Sequence, residues 1–228
     1  MTRGFSTECV VLKNSNYKDA DKLYTLFSSQ YGKFTATAKG VRRINSRRLG
    51  SLDTLNRAQI SFSESTKGIK TIHQAQVLES HKELKKAISG IAKGLYIAEL
   101  VHRFFYHDTY AHESAPEVYV LLTKSLASLN KFYAKYPEGS FNFVPVRIMN
   151  LFEARLMRIL GYEMSLDNYL LNRLELGEYE VEYLKSLKSG QSFGDLKLLR
   201  DGHTGANAVI KEYVLDVLDE RIYSSKLF

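Results

Sequence analysis

The hydrophobic repeat of this chain changes period once, near Glu79, and that change dictates two kinds of structure in sequence. Before it, apolar and polar residues alternate, the mark of strands with two unlike faces. Thr7–Lys13 is β-branched and apolar. Lys22–Ser29 sets Leu23, Thr25 and Phe27 against Tyr24, Leu26 and Ser28, and Phe34–Lys39 is short and rich in Thr and Ala. Ala58–Ser63 and Thr71–Leu78 complete five predicted strands, with turn chemistry at Asn14–Asp19 and at Ser28–Lys33, which includes Gly32. Five short strands within residues 1–78, interrupted by one long basic excursion after the third, fit a small closed barrel of the OB type. Pattern alone leaves an SH3-like barrel open.

Beyond Glu79 the apolar spacing becomes 3.6. Leu84, Ala87, Ile88, Ile91, Leu95, Ala98 and Val101 line one face, which predicts a single helix over His81–Tyr106. Ser114 and Glu117 have the spacing of a capping box, and Pro116 suits a first turn. A second helix is therefore expected over Ala115–Tyr136, stopped by Pro137-Glu138-Gly139. A third, Val144–Leu160, ends at Gly161, a natural C-cap. The less regular Tyr162–Ser189 carries a short helix around Glu178–Leu187, and a last helix is expected from about Ala206 to Ile222. The expected architecture is α+β: an N-terminal five-stranded OB-like β-barrel over residues 1–78, then an α-helical bundle-like domain over residues 79–228, with no linker between them.

Charge divides at the same place. Residues 1–78 hold 13 Lys+Arg against 5 Asp+Glu, a net of +8, while residues 79–228 hold 19 against 20, a net of −1. Charge serving only solubility has no reason to segregate, so the barrel is the expected binder of a polyanion. Its densest point is Lys39-Gly40-Val41-Arg42-Arg43-Ile44-Asn45-Ser46-Arg47-Arg48, with Arg42, Arg43, Arg47 and Arg48 close enough to repel one another. A nucleic-acid backbone neutralises such a cluster and gains from counterion release. Lys39 belongs to the same expected set of phosphate contacts, with Lys33 and Lys22 in support.

Aromatic residues are interleaved with these cations: Tyr17, Tyr24, Phe27, Tyr31, Phe34 and Phe62 among Lys18, Lys22, Lys33 and Lys39. Exposed aromatics beside cations stack bases in single-strand binding. For Tyr24, Tyr31 and Phe34 that reading stands beside a core reading, and Phe27 and Phe62 read as core. Alternation places Phe27 inside with Leu23, and Tyr24 with Leu26 on the other face.

Other chemistry is missing from the pattern. There is no phosphate-cradling glycine loop before a helix, no Gly-x-Ser-x-Gly and no His-Glu-x-x-His, so no enzyme and no cofactor are expected. His102, His107 and His112 are spaced by five, which suits surface or helix-end positions better than metal ligation. Glu175, Glu178, Glu180 and Glu182 read as a solvated helix N-terminus. Cys9 is the one cysteine and reads as core, which excludes a cysteine zinc site or a disulfide within one chain. No apolar run is long enough to span a bilayer and no signal-like leader is evident, so a cytoplasmic protein without a membrane partner is expected. On the third helix, Arg147, Leu151, Arg155 and Arg158 form a row beside Met149, Phe152, Leu156 and Ile159. Such a face could receive an acidic peptide with a hydrophobic tip, or could be an ordinary amphipathic face.

Tyr17-Lys18-Asp19-Ala20-Asp21-Lys22-Leu23-Tyr24-Thr25-Leu26-Phe27-Ser28 followed by Gly32-Lys33, the Lys39-Gly40-Val41-Arg42 loop with Ser46, Leu160-Gly161-Tyr162 and the tail Arg221-Ile222-Tyr223-Ser224-Ser225-Lys226-Leu227 occur in order along the chain. Together they resemble the RecO family of bacterial recombination mediators. The resemblance departs at Met164-Ser165-Leu166-Asp167-Asn168, where many members begin a four-cysteine zinc site and this chain has no cysteine.

The resemblance implies a non-enzymatic role in recombinational DNA repair by the RecF pathway. It implies binding of single- and double-stranded DNA, annealing of complementary strands, contact with single-strand-binding protein, and RecA loading together with RecR. Arg147, Arg155 and Arg158 are then candidates for the acidic tail of single-strand-binding protein. Two other classes use the same residues: an OB-type RNA-binding accessory factor, and a protein–protein adaptor whose basic barrel docks an acidic surface.

Overall fold

The computed structural model describes residues 3–43, 46, 48–105, 113–137, 143–162, 178–189 and 203–218. Five strands come first: β1 (Arg3–Tyr17), β2 (Asp21–Ser28), β3 (Gly32–Ala38), β4 (Arg57–Glu64) and β5 (Lys70–Glu79), with a short helix α1 (Arg48–Ser51) between β3 and β4. They close into a barrel in the order β1-β2-β3-β5-β4. The joint between β3 and β5 is parallel, at Thr37 and Thr71, and the other pairs are antiparallel. This is the OB-like arrangement that the strand count and the long β3–β4 excursion predict.

Closure depends on the length of β1. Its first half, Arg3–Val10, pairs with Glu64–Arg57 of β4, and its second half, Val10–Tyr17, pairs with Phe27–Asp21 of β2. The register shifts between Val11 and Lys13, and a bulge there bends the strand from one partner to the other. The β1 strand thus supplies both edges of the joint, and no edge is left open at that point.

Alternation then sorts side chains to two cores. Cys9, Val11, Tyr24, Leu26, Phe34, Ala36, Ala38, Ala58, Ile60, Phe62 and Ile72 fill the barrel. The opposite face of the same strands, Val10, Leu12 and Phe27, joins a second core built mainly from helices. Phe27 meets Phe105 edge to face at 4.7 Å. The sequence-based parity was therefore right and the facing inverted: Tyr24 and Leu26 point into the barrel, while Phe27 points out under the helices. A period of two separates faces but does not say which one a second layer will cover.

The helices are α2 (Lys82–Lys86), α3 (Ile88–Phe104), α4 (Ala115–Lys135), α5 (Phe143–Ile159), α6 (Glu178–Ser189) and α7 (His203–Leu218). The single helix expected over His81–Tyr106 is two, because Ala87 is extended at φ −91°, ψ 128°. The break lets α2 fold back on α3. A Cβ at Gly90 would sit 2.4 Å from the Leu84 carbonyl oxygen, and one at Gly94 would sit 2.6 Å from Leu55. The first amides of α2, at Glu83 and Leu84, are capped by Asn130 Oδ1 of α4 at 3.0 and 3.1 Å. The expected capping box at Ser114 does not form. Ser114 has helical backbone angles and makes no side-chain cap hydrogen bond, since its hydroxyl lacks the extended geometry that aims it at the following amides.

The barrel and helices meet along β1 and the segment before β4. Leu52 belongs to the barrel core and Leu55, with a left-handed φ of 67°, to the helical core. Arg57 on β4 bonds Glu8 at 2.7 Å and Glu79 at 3.0 Å. His81, buried, places Nδ1 2.8 Å from the Leu55 carbonyl oxygen, and Lys85 reaches Asp53 at 2.8 Å. Among the described residues no helix is long and apolar enough to cross a membrane.

Candidate nucleic-acid interface

The basic loop leaves β3 through Gly40, whose φ of +64° is a left-handed turn that favours glycine. Its amide donates to Asp21 Oδ1 at 2.7 Å, which fastens the turn to the start of β2. Val41 is buried in the barrel, so the next two residues project outward. The Arg42 amide donates to the Ala20 carbonyl at 3.0 Å, and Arg42 Nη1 donates to the Asp19 carbonyl at 3.0 Å. The loop is thus braced against the β1–β2 turn by three bonds.

Beside it lies a cleft of about 520 Å³, lined by Lys39, Gly40, Arg43, Ser46, Arg48, His73, Gln74 and Ala75. Lys39, Arg42 and Arg43 are exposed. Arg48 differs: Nη1 donates to the Ile72 carbonyl at 2.9 Å and Nη2 to the Lys39 carbonyl at 2.7 Å. Its guanidinium ties α1 to β5 and to the end of β3, and from there lends positive charge to the cleft. Ser46 Oγ is buried without a hydrogen-bond partner among the described residues. Arg47 lies outside the described residues.

The supporting lysines have other work. Lys33 is buried, and its Nζ donates to the His102 carbonyl at 2.9 Å, in the last turn of α3, where unpaired carbonyls favour a cation. Lys22 is half-buried and its Nζ donates to Asn14 Oδ1 at 2.9 Å. Of the aromatics, Tyr24, Phe34 and Phe62 are core, and Tyr31 is half-buried against Phe5, Phe34 and Phe62. For Tyr24 and Phe34 the core reading is the correct one; their rings offer no face to a base. Burial pushes the Tyr24 phenol up to about 12, against the pull of the Arg48 guanidinium. Ser46 entered the sequence reading within the loop that resembles the RecO family, whereas His73 and Gln74 escaped it; pairing of β5 beside the loop is a tertiary fact without a local signal.

A second groove, of about 520 Å³, runs between α4 and α5. Val120, Leu121, Ile148, Leu151, Phe152 and Ile159 make it apolar, Lys124 and Arg155 add positive charge, and Glu117 adds one carboxylate. Of the three arginines expected to form a row on α5, Arg155 lines this groove. Arg158 is exposed and Arg147 half-buried, and neither lines it. Burial pushes the Arg147 guanidinium down, with Tyr183 opposing the shift.

The remaining candidates are quiet. His102 ends α3 as expected, and burial beside Lys33 and Lys13 lowers its pKa; His107 and His112 lie outside the described residues, as do Glu175 and the segment 164–168. Glu180 accepts the Gly205 amide at 3.0 Å near the start of α6. Cys9 is buried and its thiol is pushed far up by desolvation. A four-thiolate zinc site has no ligand set in this chain.

Residues 1–81 match the family described as "Recombination protein O N terminal". The chain is also similar to the DNA repair protein RecO of Thermoanaerobacter sp. (strain X514), 28% identical over 73% of this chain and 61% of the relative. The corresponding protein of Geobacter sulfurreducens is 28% identical over 70% and 60%. That of Thermodesulfovibrio yellowstonii is 28% identical over 98% of this chain and 87% of its own length. The match thus spans about three fifths of the first two relatives and most of the third.

Proposed function

We propose that the chain is a non-enzymatic mediator of recombinational DNA repair, a reading supported by the match of residues 1–81 to the RecO N-terminal family and by the similarity to RecO proteins along most of the chain. In this reading residues 1–78 bind single- and double-stranded DNA, and residues 79–228 receive protein partners. The observation that carries it is the cationic cleft beside the braced loop, with Lys39 and Arg43 exposed in its lining and Arg42 exposed next to it.

The mechanism is electrostatic. Annealing brings two polyanions together, and cations that contact phosphates along both strands lower that repulsion while releasing counterions. Contacts to the backbone without base readout leave sequence choice to pairing between the strands. Lys39, Arg42, Arg43 and Arg47 make the phosphate contacts. Arg48 holds the loop in place through two backbone carbonyls and contributes its charge from that position. The apolar groove between α4 and α5, with Arg155 at its wall, receives the acidic tail of single-strand-binding protein. Work with RecR in loading RecA follows from the same family reading.

The test is annealing of complementary DNA strands coated with the cognate single-strand-binding protein. The intact chain should anneal them, and the triple variant Arg42→Ala, Arg43→Ala, Arg47→Ala should not. Tight binding of oligonucleotides by the intact chain without any annealing would overturn the mediator role.

A further inference from the structure

The barrel holds seven aromatic side chains among its described residues, and six of them, Phe5, Tyr24, Phe27, Tyr31, Phe34 and Phe62, are buried or half-buried. Tyr17 is the exception. It is 45% exposed, at the last position of β1, where the strand has run past the barrel into the β1–β2 turn. Its ring contacts no other aromatic among the described residues. What it does meet is Lys18, whose Nζ lies 5.4 Å from the ring centroid. Lys18 has a φ of +53°, an uncommon value for a residue other than glycine, and the turn holds the cation and ring together.

The turn that carries this pair also braces the basic loop. Tyr17 pairs with Asp21, and Asp21 Oδ1 accepts the Gly40 amide. Asp19 and Ala20 give their carbonyls to Arg42, one to its guanidinium and one to its amide. An exposed ring, an ammonium beside it and the Arg42 guanidinium bonded to the Asp19 carbonyl therefore sit at one end of the barrel, on the turn that braces the basic loop.

We infer that Tyr17 is the platform on which an unpaired base stacks while Lys18, Arg42 and the cleft hold the flanking phosphates, so that this face selects single-stranded over duplex DNA. The inference rests on the DNA-binding reading above and gives it a substrate class. Duplex bases already stack on one another and offer no open face to a side chain. An unpaired base does, and each base has a π-face, so the contact tolerates any sequence.

The chain has no tryptophan, so Tyr17→Trp creates a single fluorescent reporter at the position in question. Titration with an oligothymidylate should quench its emission, and a matched duplex should leave it nearly unchanged. Tyr17→Ala should weaken oligothymidylate binding roughly tenfold and duplex binding less than twofold, while Tyr17→Phe keeps both. If the intact chain binds single strands and Tyr17→Ala weakens both substrates equally, or neither, Tyr17 is a structural residue of the turn and the inference fails alone. If the intact chain binds neither substrate at low salt, the DNA-binding reading fails with it.

Discussion

Inside the barrel, Phe5, Tyr31, Phe34 and Phe62 pack ring against ring, with centroids 5.3 to 6.0 Å apart, and the buried lysines of its strands, Lys33 and Lys70, reach to the His102 carbonyl and to Glu64. Inside the helical layer a carboxylate is buried. Glu153 of α5 is fully buried and accepts a 2.5 Å hydrogen bond from Tyr96 of α3, and its second oxygen has no hydrogen-bond partner among the described residues. Asn150, one turn earlier, donates to Tyr183 of α6 at 3.3 Å. Lys211 of α7 stands 6.0 Å from the Tyr96 ring and pulls the Glu153 pKa down, while burial, the larger effect, lifts it to about 7. Ring packing holds the barrel core, whereas the buried carboxylate commits the helices to a pH-sensitive stability.

The comparison breaks first where packing alone is at stake. Phe62→Ala opens the aromatic cluster and should cost about 3–5 kcal/mol, with the same loss in urea unfolding at pH 5 and pH 8. The helical layer should depend on pH. The folded-state pKa of Glu153 is raised from 4.5 to about 7, so the native state binds more protons than the unfolded chain between those values. Stability from this group is full below pH 4.5 and is lost as pH rises towards 7, on the order of 3 kcal/mol in all. Glu153→Gln should match the parent at pH 5 and exceed it at pH 8; equal slopes for the two proteins would remove the contrast.

Gly90→Ala is a smaller disturbance of the same layer. Its Cβ would press on the Leu84 backbone and the Tyr133 ring, and about 1–3 kcal/mol should be lost as α2 moves off α3. At the small end, Lys39→Ala with Arg43→Ala should change unfolding free energy by less than about 0.5 kcal/mol. The slope of log affinity for DNA against log salt should flatten by about 2, roughly one for each phosphate contact removed. A marked loss of stability in that pair would show that the barrel, too, relies on its charges.

The sequence carried the period change at Glu79, and with it the five strands and the order of helices, because each depends on spacing within one segment. It carried the basic loop for the same reason. It did not carry the facing of Phe27 and Tyr24, since covering one side of a sheet is decided by helices far along the chain. Nor did Ala87 announce itself. Alanine is a strong helix former, and the bend there answers the close approach of Gly90 to Leu84. Arg48 and Arg43 look alike in a run of arginines, yet the carbonyls of Ile72 and Lys39 hold the first, and the second is open. Lys33 of β3 reads as a DNA contact on charge alone, yet its ammonium donates to the His102 carbonyl in the last turn of α3.

Leu52 and Leu55 stand three residues apart and enter different cores, and the loop bearing Arg42 and Arg43 leads directly into them. That short stretch makes the barrel and the helices share one melting event, because neither core can open without withdrawing a leucine from a segment that also plugs the other. Calorimetry should accordingly record a single cooperative transition. Ligand bound at the loop then acts as a thermal stabiliser of the whole chain. Saturating DNA at a hundred times its dissociation constant should add about 2.7 kcal/mol, and the helices should resist heating as much as the strands do.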